Sequence, residues 1–368
     1  MTSQSEPSVG GGEESGLPSA DSVGLRPLSE RVRAPRVLAL PGAQQGLSWR
    51  GARKSDLTAL LELERAVNIA DRPEATADLD DLEERFDTPG FDAAVDSIVA
   101  LDGNGVAVAY GEAYLEASGE AVVTVHINGH VHPGWRRRGI GTALLRWQEG
   151  RGAQHLAASD LRLPGMLSTL VGEHAAGQRA LFDAEGFVPT RWWLEMERDL
   201  GQRIPEIELG AGLRIDAYGS RWSEPARAAI NAAFRDHWGS QPTSREEWES
   251  SQRSEEFQAE WSAVALATLP DGTEDVVGAI TVEADEDEWE SYGYRFGDVD
   301  ELGVVRAWRG RGIARALLAW SMRRMRDAGM TRATLDVDGD SPTGARALYE
   351  GIGFEETERS ITYTKRYH

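Results

Sequence analysis

The chain of 368 residues contains no cysteine. Disulfides, thiolate metal sites, iron–sulfur ligation and a cysteine nucleophile are therefore excluded. No apolar run reaches the roughly 18 residues that a bilayer-spanning helix needs. The N-terminal stretch lacks a basic start followed by an apolar core, so no signal peptide is expected and the cytosol is the expected compartment. Lysine occurs only at Lys54 and Lys365, so arginine carries nearly all the positive charge. Lys and Arg number 39 against 61 Asp and Glu, a formal net charge of −22. Such a surface repels phosphate backbones and anionic lipids, which argues against nucleic-acid and membrane partners. It favours a cationic small molecule such as an amine, although much of the charge serves solubility.

Hydrophobic residues make up 40 % of the chain, enough to build cores, and the length suits about two domains. Residues 1–45 are rich in Ser, Gly, Pro and Glu and read as a disordered tail. From about residue 46 the pattern becomes periodic. A helix is expected after Ser55-Asp56, then strands over 96–101 and 106–114 joined by the hairpin signal Asp102-Gly103-Asn104-Gly105. A third strand over 121–131 runs into a glycine-containing basic turn and a helix. The half closes with a helix over 174–184, the turn Glu185-Gly186-Phe187 and a strand near 192–196. The same order then recurs, with paired strands around Pro270-Asp271-Gly272, a strand over 299–305, a glycine turn, the helix over 313–325, a strand over 333–337, a helix over 343–350 and a last strand over 361–365. Gly139 and Gly312 lie 173 residues apart, Phe187 and Phe354 lie 167 apart. That period is too long for a solenoid. It implies an α/β architecture of two tandem copies, 46–200 and 205–368, joined near residues 201–208.

The repeated element carries the chemistry. The first copy reads Val131-His132-Pro133-Gly134-Trp135-Arg136-Arg137-Arg138-Gly139-Ile140-Gly141, the second Val304-Val305-Arg306-Ala307-Trp308-Arg309-Gly310-Arg311-Gly312-Ile313-Ala314-Arg315. A strand, a turn of small residues and a helix N-terminus aim free N–H groups and the positive helix end at one point, which suits a pyrophosphate. Small residues let a phosphate approach the backbone, and Arg136, Arg138, Arg309, Arg311 and Arg315 are expected to add charge-assisted bonds. The glycines match neither the dinucleotide fingerprint nor the Walker loop.

These turns resemble the Q/R-x-x-G-x-G/A acyl-CoA motif of the GCN5-related N-acetyltransferases (GNAT). Leu348-Tyr349-Glu350-Gly351-Ile352-Gly353-Phe354 is similar to that family's closing element. The resemblance covers both halves and implies a tandem two-domain member. It also implies a mixed, splayed sheet with helices on both faces and acyl-CoA held between two central strands. The donor it implies is acetyl-CoA, with Leu302, Gly303 and Val304 lining the acyl end and Val131, Gly139 and Gly141 forming a second coenzyme turn in the first half. In the family a carboxylate on the strand before the motif is the usual base and the closing Tyr the usual acid. Those positions fall on Asp298, with Glu301 as the runner-up, and on Tyr349. Counting back in the first half gives Val125 and Phe182, so the second half is expected to be catalytic and the first degenerate. Like charges so close would raise one carboxyl pKa toward neutrality, as a base requires.

His237 and Trp238, past the first helix of the second half, are candidates for the acceptor wall. The run from Glu283 to Glu288 reads as a solvated loop that could line an amine-binding mouth. His126, His130 and His132 share a strand, but their spacing suits no single metal site and no metal is expected. Ser341 replaces a common family Asn before the last helix and caps a helix nearly as well. The expected activity is transfer of an acetyl group to a primary amine of a small molecule, by direct attack in a monomer. The alternatives are a non-catalytic CoA-binding regulator and an aminoglycoside-type or protein acetyltransferase.

Overall fold

The computed structural model describes residues 24–42, 46–72, 77–116, 122–235, 242–339 and 344–367. Local chemistry sets the strand pairs. Asp102 accepts from the N–H groups of Asn104 and Val106 at 2.8 and 3.0 Å, and Gly105 takes a φ of +82°. The expected hairpin follows from this turn.

The first half runs α1 (Leu28–Arg31), β1 (Ser48–Arg50), α2 (Leu57–Asp71), α3 (Leu79–Asp87) and the single-turn α4 (Ala93–Asp96). It continues through β2 (Ser97–Leu101), β3 (Ala107–Leu115), β4 (Val123–Val131), α5 (Ile140–Ala157), β5 (Gly165–Gly172), α6 (Ala176–Ala184) and β6 (Val188–Asp199). The second half begins with β7 (Leu213–Ala217), α7 (Ser223–Phe234), α8 (Arg245–Ser251), β8 (Ala263–Thr268), β9 (Glu274–Glu283) and α9 (Glu288–Tyr292). It ends with β10 (Phe296–Val304), α10 (Ile313–Asp327), β11 (Arg332–Asp338), α11 (Ala345–Glu350) and β12 (Glu355–Tyr367).

All the described strands form one mixed sheet in the order β1-β2-β3-β4-β5-β12-β6-β11-β10-β9-β8-β7. The closing strands are exchanged. β6, made by the first half, pairs along β11 of the second, while β12 pairs along β5 of the first. β6 and β12 also pair with each other at the centre.

Helices cover both faces. The sheet-facing side of α10 presents Leu317, Leu318, Met322 and Met325, all fully buried, against β8, β9 and β11. Each such side chain contributes about 1.5–3 kcal/mol by leaving water. On the opposite face α7 packs Ala226, Ala229 and Ile230 onto Val264, Leu266 and Ala279. In the first half α5 and α2 take the same two places.

The sheet splays twice. Parallel pairing of β4 with β5 stops at His126↔Ser168, and that of β10 with β11 stops at Asp298↔Thr334. Beyond those points the partners diverge.

Part of the expected tail is ordered. Leu28 is fully buried, and Leu28 and Leu38 fill grooves that only glycines leave open. A Cβ on Gly165 would stand 2.9 Å from Leu28, and one on Gly150 2.5 Å from Leu38. Composition alone points to disorder, but a few apolar residues spaced along a polar stretch suffice to dock residues 24–42 on α5.

Candidate active site

The glycine turn is built twice, on one plan. β10 leads through a short 3-10 turn (Arg306–Trp308) to Gly310 and Gly312, at φ +76° and +78°. Gly312 caps α10, so the N–H groups of Ile313, Ala314 and Arg315 have no helical acceptor. The first half repeats this with Arg137 at φ +62° and Gly139 at +80°. A Cβ on Gly310 or Gly139 would meet no protein atom within 4 Å, and one on Gly312 would meet only Ile207 at 3.8 Å. A Cβ on Gly141 would come 3.3 Å from Leu181.

Two of the five expected phosphate contacts face inward instead. Arg309 Nε donates to Val304 O at 3.1 Å and its Nη2 to Ala233 O at 2.7 Å. Arg136 Nε donates to Val131 O at 3.1 Å, while its Nη atoms grip both Asp71 oxygens at 2.7 Å. Both guanidinium groups tie the turn to the strand end and to the helix behind it, because the chain reverses there and leaves carbonyls to satisfy. Arg311 and Arg138 lie over Trp308 and Trp135 at 4.6 and 4.9 Å. Arg311 and Arg315 are exposed beside the turn.

The splay frees backbone donors near the end of β10. Val305 N–H donates to Val277 O at 2.9 Å, and Glu301 N–H to Thr281 Oγ1 at 3.1 Å. N–H groups alternate along a strand, so those of Leu302 and Val304 point away from β9, into the gap that β11 leaves. Gly303 lies against α7, where a Cβ would come 2.9 Å from Ile230 and Ala233.

Carboxylates gather just below that gap. Thr334 Oγ1 donates to Asp298 Oδ1 at 2.6 Å. Burial, with Asp300 nearby, holds the Asp298 carboxyl above the usual range. A bulge between Asp298 and Glu301 brings three acids onto one short stretch. Glu301 is pushed up to about 7 by burial, with Asp300 and Glu283 adding to it. Glu283 pairs across from Asp298 and also rises to about 7, again mainly through burial. It belongs to β9 rather than to a solvated loop. Asp336, two residues along from Thr334, rises to about 6 through burial and the charge of Asp298.

The first half roofs this acidic face. Arg72, at the end of α2, bridges Glu195 and Glu358 at 3.2 and 2.9 Å. Asp81 of α3 is raised by burial and by neighbours that include Asp285 of the second half. Asp336 was not singled out from sequence, and Glu283 only as the start of an acidic run that could line an amine-binding mouth; their alternation with buried Val282 and with Leu335 and Val337 was the available signal.

Tyr349 is 8 % exposed and burial alone pushes its hydroxyl up to about 12. It meets Phe354 edge-on at 5.9 Å. Phe182 and Phe187 repeat that contact at 5.2 Å without a hydroxyl. The other first-half equivalence differs from the count. β4 lacks the bulge of β10, so register places His126, opposite Tyr114, where Asp298 stands opposite Glu283. Val125 faces the α5 core instead. His126 stacks on Tyr114 at 5.3 Å, with Nε2 3.3 Å from Glu116. His237, Trp238 and Ser341 lie outside the described residues.

Comparison with known proteins bears on the family and the fold. The Acetyltransferase (GNAT) family profile matches residues 230–354. A mycothiol acetyltransferase of Nocardiopsis dassonvillei is 32 % identical over 247 residues, 63 % of this chain and 72 % of that protein. Another, of Saccharomonospora viridis, is 29 % identical over 317 residues, 85 % of this chain and 95 % of that one. Among solved structures, a GCN5-related N-acetyltransferase from Sphaerobacter thermophilus shares the fold with a TM-score of 0.69 at 24 % identity, covering 89 % of this chain and 97 % of that one. A tandem GNAT protein from the clavulanic acid biosynthesis pathway does so with a TM-score of 0.60 at 20 % identity, covering 87 % and 98 %. With two glycine turns, two splayed strand pairs and a relative at this identity and coverage, the chain belongs to the GNAT family of acetyltransferases, in its tandem two-domain form.

Proposed function

We propose that the second half transfers an acetyl group from acetyl-CoA to a primary amine of a small molecule, by direct attack within a ternary complex. The turn fits a coenzyme diphosphate because its glycines face open space and three helix N–H groups lack acceptors. In this reading Gly310, Arg311, Gly312, Ile313, Ala314 and Arg315 hold the diphosphate, while Arg309 braces the turn. Leu302 and Val304 present N–H groups toward the acyl carbonyl, where they oppose the charge that develops on its oxygen. Asp298 or Glu301 takes the proton of the ammonium group. Tyr349, kept protonated by burial, gives its proton to the departing thiolate.

The observation that supports the reading is the row of buried, raised carboxyls along a splayed strand that leads into the open glycine turn, with Tyr349 buried in the same hydrophobic cluster as Leu302 and Val304 of that strand. The first half keeps the turn and the splay but has Phe182 at the phenol position, and in this reading it does not turn over. The acidic face suits a cationic acceptor, and the acceptor of the mycothiol acetyltransferases is the first compound to test. The assay is release of CoA thiol with a panel of primary amines. Release matched by N-acetylated product supports the proposal, and Tyr349→Phe should then lower kcat by about 10²–10⁴-fold with coenzyme binding retained. Tight coenzyme binding with no release on any amine would instead support a regulatory binding protein.

A further inference from the structure

The exchanged strands carry a matched pair of cations. Arg198 of β6 and Lys365 of β12 lie 167 residues apart, the same interval that relates Phe187 to Phe354. Each reaches the turn that follows the closing helix of the half it was exchanged into. Lys365 Nζ donates to Glu185 O at 2.8 Å and to Glu149 Oε2 at 3.0 Å, and lies over the Phe187 ring at 5.4 Å. It stops short of Gly186, where a Cβ would meet nothing within 4 Å.

Arg198 makes a tighter contact. It is 4 % exposed, and its Nη2 donates to Arg203 O at 3.0 Å. Its Nε has no hydrogen-bond partner among the described residues. A Cβ on Gly353 would fall 1.7 Å from its Nη1 and 2.9 Å from its Cζ, so the guanidinium lies directly against the backbone. Gly353 also sits at φ +97°, a conformation that favours glycine, and any side chain there would push the guanidinium aside. Residues 351–354 hang from Tyr349: Ile352 and Phe354 N–H both donate to Tyr349 O, at 3.1 and 3.0 Å. A buried guanidinium with an unmet donor is costly. A planar, rigid group in that place returns fixed geometry, which a flexible lysine does not. The rigid contact occurs in the half with a phenol and the loose one in the half with Phe182.

We propose that Arg198, supplied by the first half, is a positioning residue for Tyr349 of the second. It wedges the 351–354 turn and so holds the phenol at the angle proton donation needs. The inference rests on the acid role proposed for Tyr349.

The test is a double-mutant cycle on the full chain with acetyl-CoA and a primary amine that releases CoA thiol in the panel above, with Lys365→Met as the matched control. Arg198→Met should lower kcat by about tenfold or more, the scale of a misplaced catalytic group, with KM for acetyl-CoA within about twofold. Combined with Tyr349→Phe it should add no further loss, because it acts through that hydroxyl. Lys365→Met should lower Tm while leaving kcat unchanged. If Arg198→Met does not fold, Arg198→Lys carries the test: reduced kcat at unchanged KM supports the proposal and wild-type kcat overturns it. Wild-type kcat in Arg198→Met, or a loss fully additive with Tyr349→Phe, also overturns it. Wild-type turnover in Tyr349→Phe alone refutes the acid role itself, whatever Arg198 does.

Discussion

Replacing Gly312 and Gly139 by alanine, one at a time, separates the two proposed coenzyme turns. Both glycines cap long helices at nearly the same φ, +78° and +80°, and neither Cβ would clash with protein. A left-handed alanine costs about 1–2 kcal/mol, offset by about 0.4–1 kcal/mol from the stiffer unfolded chain. Both variants should therefore lose about 1 kcal/mol and a few degrees of Tm, and lose them equally. Their effects on catalysis should differ. In Gly312→Ala the new methyl stands where a diphosphate must approach the free N–H groups. Losing about one hydrogen bond to a charged oxygen, about 1.5–3 kcal/mol, lowers kcat/KM for acetyl-CoA by about 10–150-fold. Gly139→Ala should turn over at the wild-type rate. Thermal melts and steady-state kinetics on both variants decide the matter. Turnover lost in Gly139→Ala and kept in Gly312→Ala would show that the active half is the other one. Turnover kept in both would show that these turns do not cradle the donor.

Arg137 occupies the left-handed position that Gly310 fills in the second half. Arg137→Gly should stabilise the chain by about 0.5–1 kcal/mol, and a lower urea midpoint would contradict that. Glu301 binds its proton more tightly folded than unfolded, with a pKa raised from 4.5 to about 7. The native state thus holds a proton that the unfolded chain releases, so this group's contribution to stability falls as pH rises from about 4.5 to 7. Glu301→Gln should flatten that slope in urea titrations. If Glu301 is the base, the same substitution also abolishes the rise of kcat/KM through pH 7, whereas an unmoved profile assigns the role to Asp298. Leu28→Ala should cost about 2–5 kcal/mol by urea denaturation, and a silent substitution would mean that residues 24–42 do not dock.

Much of this was legible before any coordinates. The turns at 309–314 and 136–141 announce themselves because glycine and arginine there answer to backbone conformation and charge, which local sequence records. The hairpin at Asp102 is equally local. Other features depend on partners far along the chain. Nothing in β6 or β12 says which half's sheet each joins, since both are extended segments at equivalent places. The bulge in β10 adds one residue that simple counting ignores, which is why Val125 stood in for His126. Arg309 and Arg136 are phosphate ligands or braces depending on which way the side chain turns, and residue type does not encode that. β5 went unread because Gly165-Met166-Leu167-Ser168-Thr169-Leu170-Val171 is buried on both faces except at Leu170, and its apolar residues show no alternation.

The strand exchange bears on how the chain comes to exist at all. As the polypeptide emerges, β5 and β6 are complete long before β12, yet β12 is the strand that must lie between them. Until it arrives, both present naked edges of the kind that recruit foreign strands. The first half is thus a promissory structure during synthesis, and cutting the gene at the joint would yield two fragments, each missing the ribbon that the other carries.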